Sequence, residues 1–453
     1  MMKVGIITLG CDKNTVDSEY LAGTLARTGV MVANAEPEPC GETFDAVFIN
    51  TCGFIADAKA ESVRAIIAWL EHKFELAAQG CRMKVFVMGC LSQRYVRDLS
   101  HDLPEVDGFM GVGDVESAIS LLNSPVSLLM PVSKVFEPPR AVAIDRKMPR
   151  LALGSGKSHG FLKIADGCSH KCAFCAIPSF KGKYQSVPND VLLSEARMLV
   201  KRGVKEIVLV AQDTSAYGRD IYGSQYGIAE LLAELADLSG DFWLRIMYFY
   251  PGGVTDKFIE AMTSSPRIIR YLDIPLQHLH PDVLRRMNRS HLEIGTFDLV
   301  RRLRKVLPGI VLRTTFMVGY PGETKEEFEF LCAGARELSF EHMGAFRFSA
   351  EQDTPAAAIK PRVLHNEKMK RFRRLMRQQA DISLAWNRTR IGTTQRVLVE
   401  GQLDDGRHVG RCASEAPEVD GYVIISNHMT LKPHSFADVR ITDAETYDLF
   451  GEV

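Results

Sequence analysis

The chain is 453 residues long, 46% hydrophobic and 25% charged, with 20 prolines and 35 glycines; that balance excludes disordered and collagen-like polymers and predicts large apolar cores. At roughly 100–200 residues per domain, the length predicts about three domains. A formal charge of -1 gives no global reason to expect nucleic acid as a partner, so regional charge has to be read separately.

The opening MMKVGIITLGCDKNTVDSE lacks a charged n-region and a small-residue cleavage site, and reads as a buried strand rather than a signal. No apolar run approaches the ~20 residues needed to cross a bilayer. The expectation is a cytoplasmic protein with no membrane partner and with reduced thiols. Its ten cysteines, at positions 11, 40, 52, 81, 90, 168, 172, 175, 332 and 412, are too dispersed for a small disulfide scaffold, which makes metal binding the leading explanation.

Three apolar, β-branched runs, 3–10 (KVGIITLG), 45–52 (DAVFINTC) and 84–90 (KVFVMGC), alternate with helix-like stretches and predict a parallel α/β domain of Rossmann or flavodoxin type. Each run ends at a cysteine. Ligands of open parallel sheets bind beyond the carboxyl ends of the strands, so Cys11, Cys52 and Cys90 should gather at one edge; the plainer alternative is that they are small buried hydrophobes.

Periodicity fades from 131 to 160, where Pro131, Pro138, Pro139 and Pro149 oppose helix and sheet alike. Strand-like runs then recur at 161–166, 206–212, 243–249, 271–276, 310–318 and 342–348, with gaps long enough for helices. Such βα repeats close into a full or partial barrel of TIM type. A helix is expected over 367–390, where eight Lys or Arg against two acids give +6. Short runs at 395–400, 408–412, 422–426 and 437–442 follow and predict a small antiparallel β-barrel. Residues 386–453 hold seven Lys or Arg and eleven Asp or Glu, a balance of -4. The expected domains are 1–130, a linker 131–156, a barrel 157–384 and a tail 385–453.

In GCSHKCAFC, the spacing of Cys168, Cys172 and Cys175 lets three thiolates wrap one face of a cuboidal iron–sulfur cluster from a single loop, leaving a fourth iron without a protein ligand. The alternative is structural zinc, with His170 as a further ligand. Cys40, Cys81, Cys332 and Cys412 have no matching spacing and read as ordinary free thiols.

This CxxxCxxC, with Phe174 before its last cysteine and at the end of the first barrel strand, resembles the radical S-adenosylmethionine superfamily. The resemblance implies a [4Fe–4S] cluster whose open iron binds S-adenosylmethionine, a carbon radical made from that cofactor, and a low-potential electron donor such as flavodoxin or ferredoxin. LGCDKNTVDSE, NTCGFI and MGCLSQRY further resemble the methylthiotransferase family, which has this three-domain order and a TRAM-like tail. That likeness assigns Cys11, Cys52 and Cys90 to a second [4Fe–4S] cluster.

Within the family, SFKGKYQSVP, VAQDTSAYG, YLDIPLQH and LRTTFMVGYPGET resemble the RimO branch, which thiomethylates an aspartate β-carbon in the twelfth small-subunit ribosomal protein, rather than the branch that modifies adenosine in tRNA. An acidic tail suits a basic ribosomal protein and repels RNA phosphates. The family likeness also implies a monomer. A different class is a non-catalytic iron–sulfur or zinc redox sensor, against which a complete barrel behind the cysteine loop argues.

Gln212 and Asp213 close the second barrel strand where the superfamily often contacts the cofactor's amine, although VAQDTSAYG is not the usual glycine-rich form. Gln277, His278 and Arg313 are expected near strand ends within reach of the cofactor. Phe174 has two readings, adenine packing or plain core, and Pro321-Gly322-Glu323 reads as a turn. The +6 helix is a solvated face or a contact to ribosomal RNA.

Overall fold

In the computed structural model, which describes residues 1–124, 150–153, 158–289, 295–426 and 431–453, the chain forms two units. One comprises Met1–Ser155, Asp166–His170 and Ala176–Gln185; the other comprises the remainder. Apart from 150–153, the expected linker 131–156 lies outside the described residues.

In the first unit, strands β1 (Lys3–Thr8), β2 (Met31–Asn34), β3 (Ala46–Thr51), β4 (Lys84–Gly89) and β5 (Gly108–Phe109) form a parallel sheet in the order β2-β1-β3-β4-β5. The runs VGII, VFIN and VFVM are buried on both faces, as strands between two helical layers must be. Ile66 and Trp69 of the helix Ala56–Ala78 pack with Val47, Ile49, Val85 and Val87 in its core. Strands β2 and β5 went unforeseen because they are edge strands of four and two residues, too short to show a period. The strand order reverses between β1 and β3, which opens a crevice at their carboxyl ends.

In the second unit, β6 (His159–Lys163), β7 (Glu206–Val210), β8 (Trp243–Ile246), β9 (Ile268–Asp273), β10 (Val311–Val318) and β11 (His342–Arg347) pair in chain order, all parallel, as a partial barrel. Each expected run overlaps one of these strands, with β6 and β9 starting two and three residues before their runs. The basic helix spans His365–Arg388, and its Arg371 is buried against Glu323 at 3.1 Å, so part of its charge is structural.

Strands β12 (Thr394–Gln402), β13 (His408–Cys412), β14 (Val423–Ile425), β15 (Ser435–Ala444) and β16 (Leu449–Glu452) close a second, smaller barrel in the order β12-β13-β14-β16-β15. Here the expected antiparallel pattern is broken once, where β14 pairs parallel with β16. An odd number of strands cannot alternate direction all the way round a closed barrel, so one like-directed pair is unavoidable.

The small barrel covers the amino ends of the large one through buried ions. Glu206, the first residue of β7, meets Arg245 Nε at 2.5 Å and Arg411 at 2.7 Å; Arg411 also meets Glu400 at 2.8 Å. Arg245 donates to the Glu415 carbonyl at 2.9 Å and stacks 4.4 Å from the Tyr271 ring centroid, while the Tyr271 hydroxyl donates to Asp420 at 2.7 Å. His159, opening β6, lies 3.4 Å from Glu418 and 3.7 Å from Glu400.

Removing one member of such a network strands the others in low dielectric. Glu206→Gln should therefore cost about 3–5 kcal/mol of unfolding free energy, whereas Glu452→Gln, at the exposed pair with Arg440, should cost under about 1 kcal/mol; urea titration at neutral pH measures both. Burial raises the Glu206 carboxyl, but Arg245 and Arg411 outweigh it and hold it below its ordinary value of 4.5. Its contribution is thus complete above 4.5 and fades as pH falls through the lowered value. Burial lowers His159, but Glu400 and Glu418 outweigh it and hold the ring above 6.5, so its contribution is complete below 6.5 and fades as pH rises through the raised value. Unfolding curves across pH should show both declines, and His159→Asn should flatten the alkaline one alone.

Candidate functional site

The crevice of the first unit is lined by the expected thiols. Cys11 follows β1 as the N-cap of the helix Asp12–Ala26, Cys52 directly follows β3, and Cys90 follows β4 and opens the helix Cys90–Asp102. Two glycines permit the approach. Gly10 stands at φ +96°, and a Cβ there would lie 2.6 Å from Cys52 Cβ and 3.1 Å from its Sγ. A Cβ on Gly53 would lie 2.8 Å from the Leu91 backbone and 2.9 Å from the Cys90 carbonyl carbon. The polar residues of LGCDKNTVDSE sew the same ends together: Asn14 Nδ2 donates to the Leu9 carbonyl at 2.7 Å and the Thr51 carbonyl at 3.3 Å, and Asn50 Nδ2 donates to the Asn14 carbonyl and Ser18 Oγ, both at 3.0 Å.

The three thiols feel one another. Burial pushes Cys52 up, and the charges of Cys11 and Glu61 push the same way. Burial drives Cys90 up to about 12, opposed by the Lys181 ammonium. Lys181 ends the short helix Ile177–Lys181, whose Phe180, with the preceding Ala176, packs on Cys90. Although 5% exposed, it stays protonated: burial lowers it, but Asp166 at 3.0 Å and the Cys90 and Asp17 charges outweigh that. A set of soft sulfur donors served by a buried cation is matched to an anionic iron–sulfur group.

The loop 167–175 carries the other three cysteines, Cys168 with the first unit and Cys172 and Cys175 with the second. In the first, Cys168 N donates to the Gly182 carbonyl at 3.1 Å and Tyr184 N to Ser169 Oγ at 3.2 Å. In the second, Cys175 N donates to the Cys172 carbonyl at 3.1 Å, Ala173 N to the Met287 carbonyl at 3.0 Å, and Asn288 Nδ2 to the Lys171 carbonyl at 2.7 Å. Arg289 Nη1 donates to Cys172 Sγ at 3.4 Å. Among the described residues, one group of ligand atoms lies mutually within 4.8 Å, that of His280, Asp282 and Glu327, and Glu327 there is already paired with Arg286 at 2.7 Å.

The other expected contacts separate. Gln212 follows β7, and its buried Oε1 accepts no hydrogen bond among the described residues, an orphaned acceptor at a carboxyl end. Asp213 is spent on its own turn, accepting from Ser215 N at 2.9 Å and Ser215 Oγ at 2.7 Å. Gln277 is held left-handed at φ 70° by a bridge to Phe316, with its N donating to the Thr315 carbonyl at 2.8 Å. His278 is fully buried and driven down to about 3 by burial, with His280, Arg286 and Arg371 adding to the effect; its Nδ1 accepts from His280 N at 2.9 Å. Phe174 is half-buried against Ala173, Val283, Met287, Tyr320 and Phe348. Glu323 closes the expected turn, accepting from Tyr320 N at 3.0 Å.

Arg313 is the third residue of β10 and pairs with Asp273, the last residue of β9, at 3.2 Å and with Asp420 of the small barrel at 3.4 Å. Cys40 and Cys81 are exposed, and Cys332 and Cys412 are buried. Sequence reasoning missed Lys181 and Arg289: each stands near other cations in an ordinary mixed stretch, and no spacing links either to a cysteine distant in the chain.

Residues 162–333 match the Radical SAM superfamily, 3–111 the uncharacterized protein family UPF0004, and 391–453 the TRAM domain. The chain is 40% identical over 453 residues to "Ribosomal protein uS12 methylthiotransferase RimO" of a Thermoanaerobacter species, with all of both chains covered. It is 41% identical over 452 residues to the protein of the same name from Caldanaerobacter subterraneus, again covering all of both. Its fold is similar to that of the radical S-adenosylmethionine methyltransferase TsrM from Kitasatospora setae, solved with cobalamin and a [4Fe-4S] cluster, at a TM-score of 0.56 and 15% identity over 87% of this chain and 80% of that one. The cobalamin-dependent S-adenosylmethionine radical enzyme OxsB is similar at a TM-score of 0.54 and 11% identity over 83% and 56%. At these identities the likeness to solved structures is one of fold.

Proposed function

This chain belongs to the family of ribosomal protein uS12 methylthiotransferases named RimO, and on that premise we propose that it transfers a methylthio group to the β-carbon of an aspartate in uS12. The observation that carries the reading is the gathering of Cys11, Cys52 and Cys90 at the switch point of one parallel sheet, in a chain that presents a second trio on the loop after β6. Cys168, Cys172 and Cys175 would hold one [4Fe–4S] cluster and S-adenosylmethionine would bind at its open iron; Cys11, Cys52 and Cys90 would hold a second. When bound, these groups supply low-potential electrons, a radical precursor, a methyl group and an iron site able to hold sulfur.

The chain's own residues prepare both places. Cys11 caps the helix Asp12–Ala26 and Cys90 opens the helix Cys90–Asp102, so both present their sulfur at a helix N-terminus. Lys181 offsets the negative charge that three thiolates gather. Gln212 offers its unpaired Oε1 to a donor such as the cofactor's ammonium. Gln277, its backbone locked in the left-handed region, presents a second amide at the carboxyl ends of the strands, and Asp213 fixes the turn behind Gln212. Phe174, with Tyr320 and Phe348, backs the loop with apolar surface that excludes water.

We assign residues 1–130, 157–384 and 385–453 to the three domains; the family matches fall inside these bounds and support the assignment. The acidic last domain would face the basic uS12. The electron donor would be a flavodoxin or ferredoxin, and the enzyme would act in the cytoplasm as a monomer. No helix among the described residues is long and apolar enough to cross a membrane.

The reconstituted protein, incubated under reducing conditions with S-adenosylmethionine and either uS12 or tRNA, should add one methylthio mass to uS12 alone; addition to tRNA alone would overturn the assignment. Cys172→Ala should abolish 5′-deoxyadenosine formation, whereas Cys52→Ala should retain it and lose the methylthio product. Gly53→Ala forces the ends of β3 and β4 apart, and bound iron should fall from about eight to about four atoms per chain, as expected for losing one of two four-iron clusters.

A further inference from the structure

Arg289 holds a position that the reading above does not use. Its Nη1 donates to Cys172 Sγ at 3.4 Å, its Nη2 donates to the Pro275 carbonyl at 2.7 Å, and its guanidinium carbon lies 4.8 Å from the centroid of the Tyr250 ring. Tyr250 and Pro275 lie beyond the carboxyl ends of β8 and β9. One planar head therefore spans two strand ends and a thiol, a geometry that suits the rigid fork of arginine and not the single point charge of lysine. The loop does not depend on this head for its place, because the Met287 carbonyl and Asn288 Nδ2 already hold Ala173 and Lys171 at 3.0 and 2.7 Å. What the head adds is a positive charge and an N–H directed at sulfur.

We propose that Arg289 sets the reduction potential of the iron–sulfur cluster held by Cys168, Cys172 and Cys175, through its N–H···S bond to Cys172 and its fixed positive charge. The inference rests on reading that loop as a cluster site. Reduction adds a negative charge to a group that three thiolates already make anionic, and a cation beside one thiolate stabilises the reduced form more than the oxidised one. Arg289 thereby raises a very low potential toward the range of a biological donor. It is a positioning and tuning residue.

The test uses the full chain carrying Cys11→Ala, Cys52→Ala and Cys90→Ala, so that the loop holds the remaining cluster, with its potential read by redox titration followed by electron paramagnetic resonance. Arg289→Met should shift the reduced-to-oxidised ratio at a set potential roughly tenfold toward oxidised, about 59 mV more negative for a one-electron couple. Arg289→Lys, which keeps the charge but not the fork, should fall between. A Met variant with about four irons per chain and the parent's midpoint overturns the proposal. If the Met variant holds no iron, the Lys variant decides: a midpoint below the parent's supports the proposal and an equal one overturns it. A parent that binds no iron overturns the cluster reading itself, and the inference with it.

Discussion

Parallel strands deliver all their carboxyl ends to one edge, and that polarity governs everything chemical in this chain. A side chain placed one residue past a buried strand meets the residues placed one past its neighbours, however distant they are in sequence. Cys11, Cys52 and Cys90 come from positions separated by some 40 residues each time, and they meet because β1, β3 and β4 are adjacent and point the same way. In the second unit the same rule puts Cys172, Cys175, Gln212 and Gln277 beyond strand ends. Close approach then needs missing side chains, which Gly10 and Gly53 supply, and satisfied backbone ends, which Asn14 and Asn50 supply.

The opposite edge has a different task. His159, Glu206 and His342 open their barrel strands, Arg245 and Arg313 lie further along theirs, and the small barrel meets them with Glu400, Arg411 and Asp420. Buried ions tolerate few alternative partners, so such a network favours one docking of the two barrels over others more than it adds stability. Part of the tail's acidic balance is used in this way: Asp420 is committed to Arg313, and Glu400 and Glu418 lie against His159.

The same electrostatics recur on a smaller scale beside the cysteines. Thiols buried in apolar surroundings resist ionisation, which is why Cys52 and Cys90 are raised. A buried lysine near Cys90 opposes that cost, and an arginine donates to Cys172. Neither cation has a local signature. Lys181 sits in SFKGKY and Arg289 in RMNRSH, where each reads as an ordinary surface charge until the fold turns it inward.

The periodic runs were sufficient to place the strands of both parallel sheets except the two short edges, because a run buried on both faces must be apolar without interruption. The spacing of Cys168, Cys172 and Cys175 is likewise a local property, complete within one loop. Direction along a strand was legible too, since it follows from chain order. What tertiary structure alone decided was which partner claims each polar group. Arg313 belongs to Asp273 and Asp420, Asp213 to its own turn, and the Gln212 Oε1 to no neighbour among the described residues. It also decided the parallel β14–β16 pair, a consequence of closing five strands into a ring. The physical reason is the same throughout: burial and periodicity are recorded in neighbouring residues, whereas pairing energies depend on distances between residues that only the folded chain brings together.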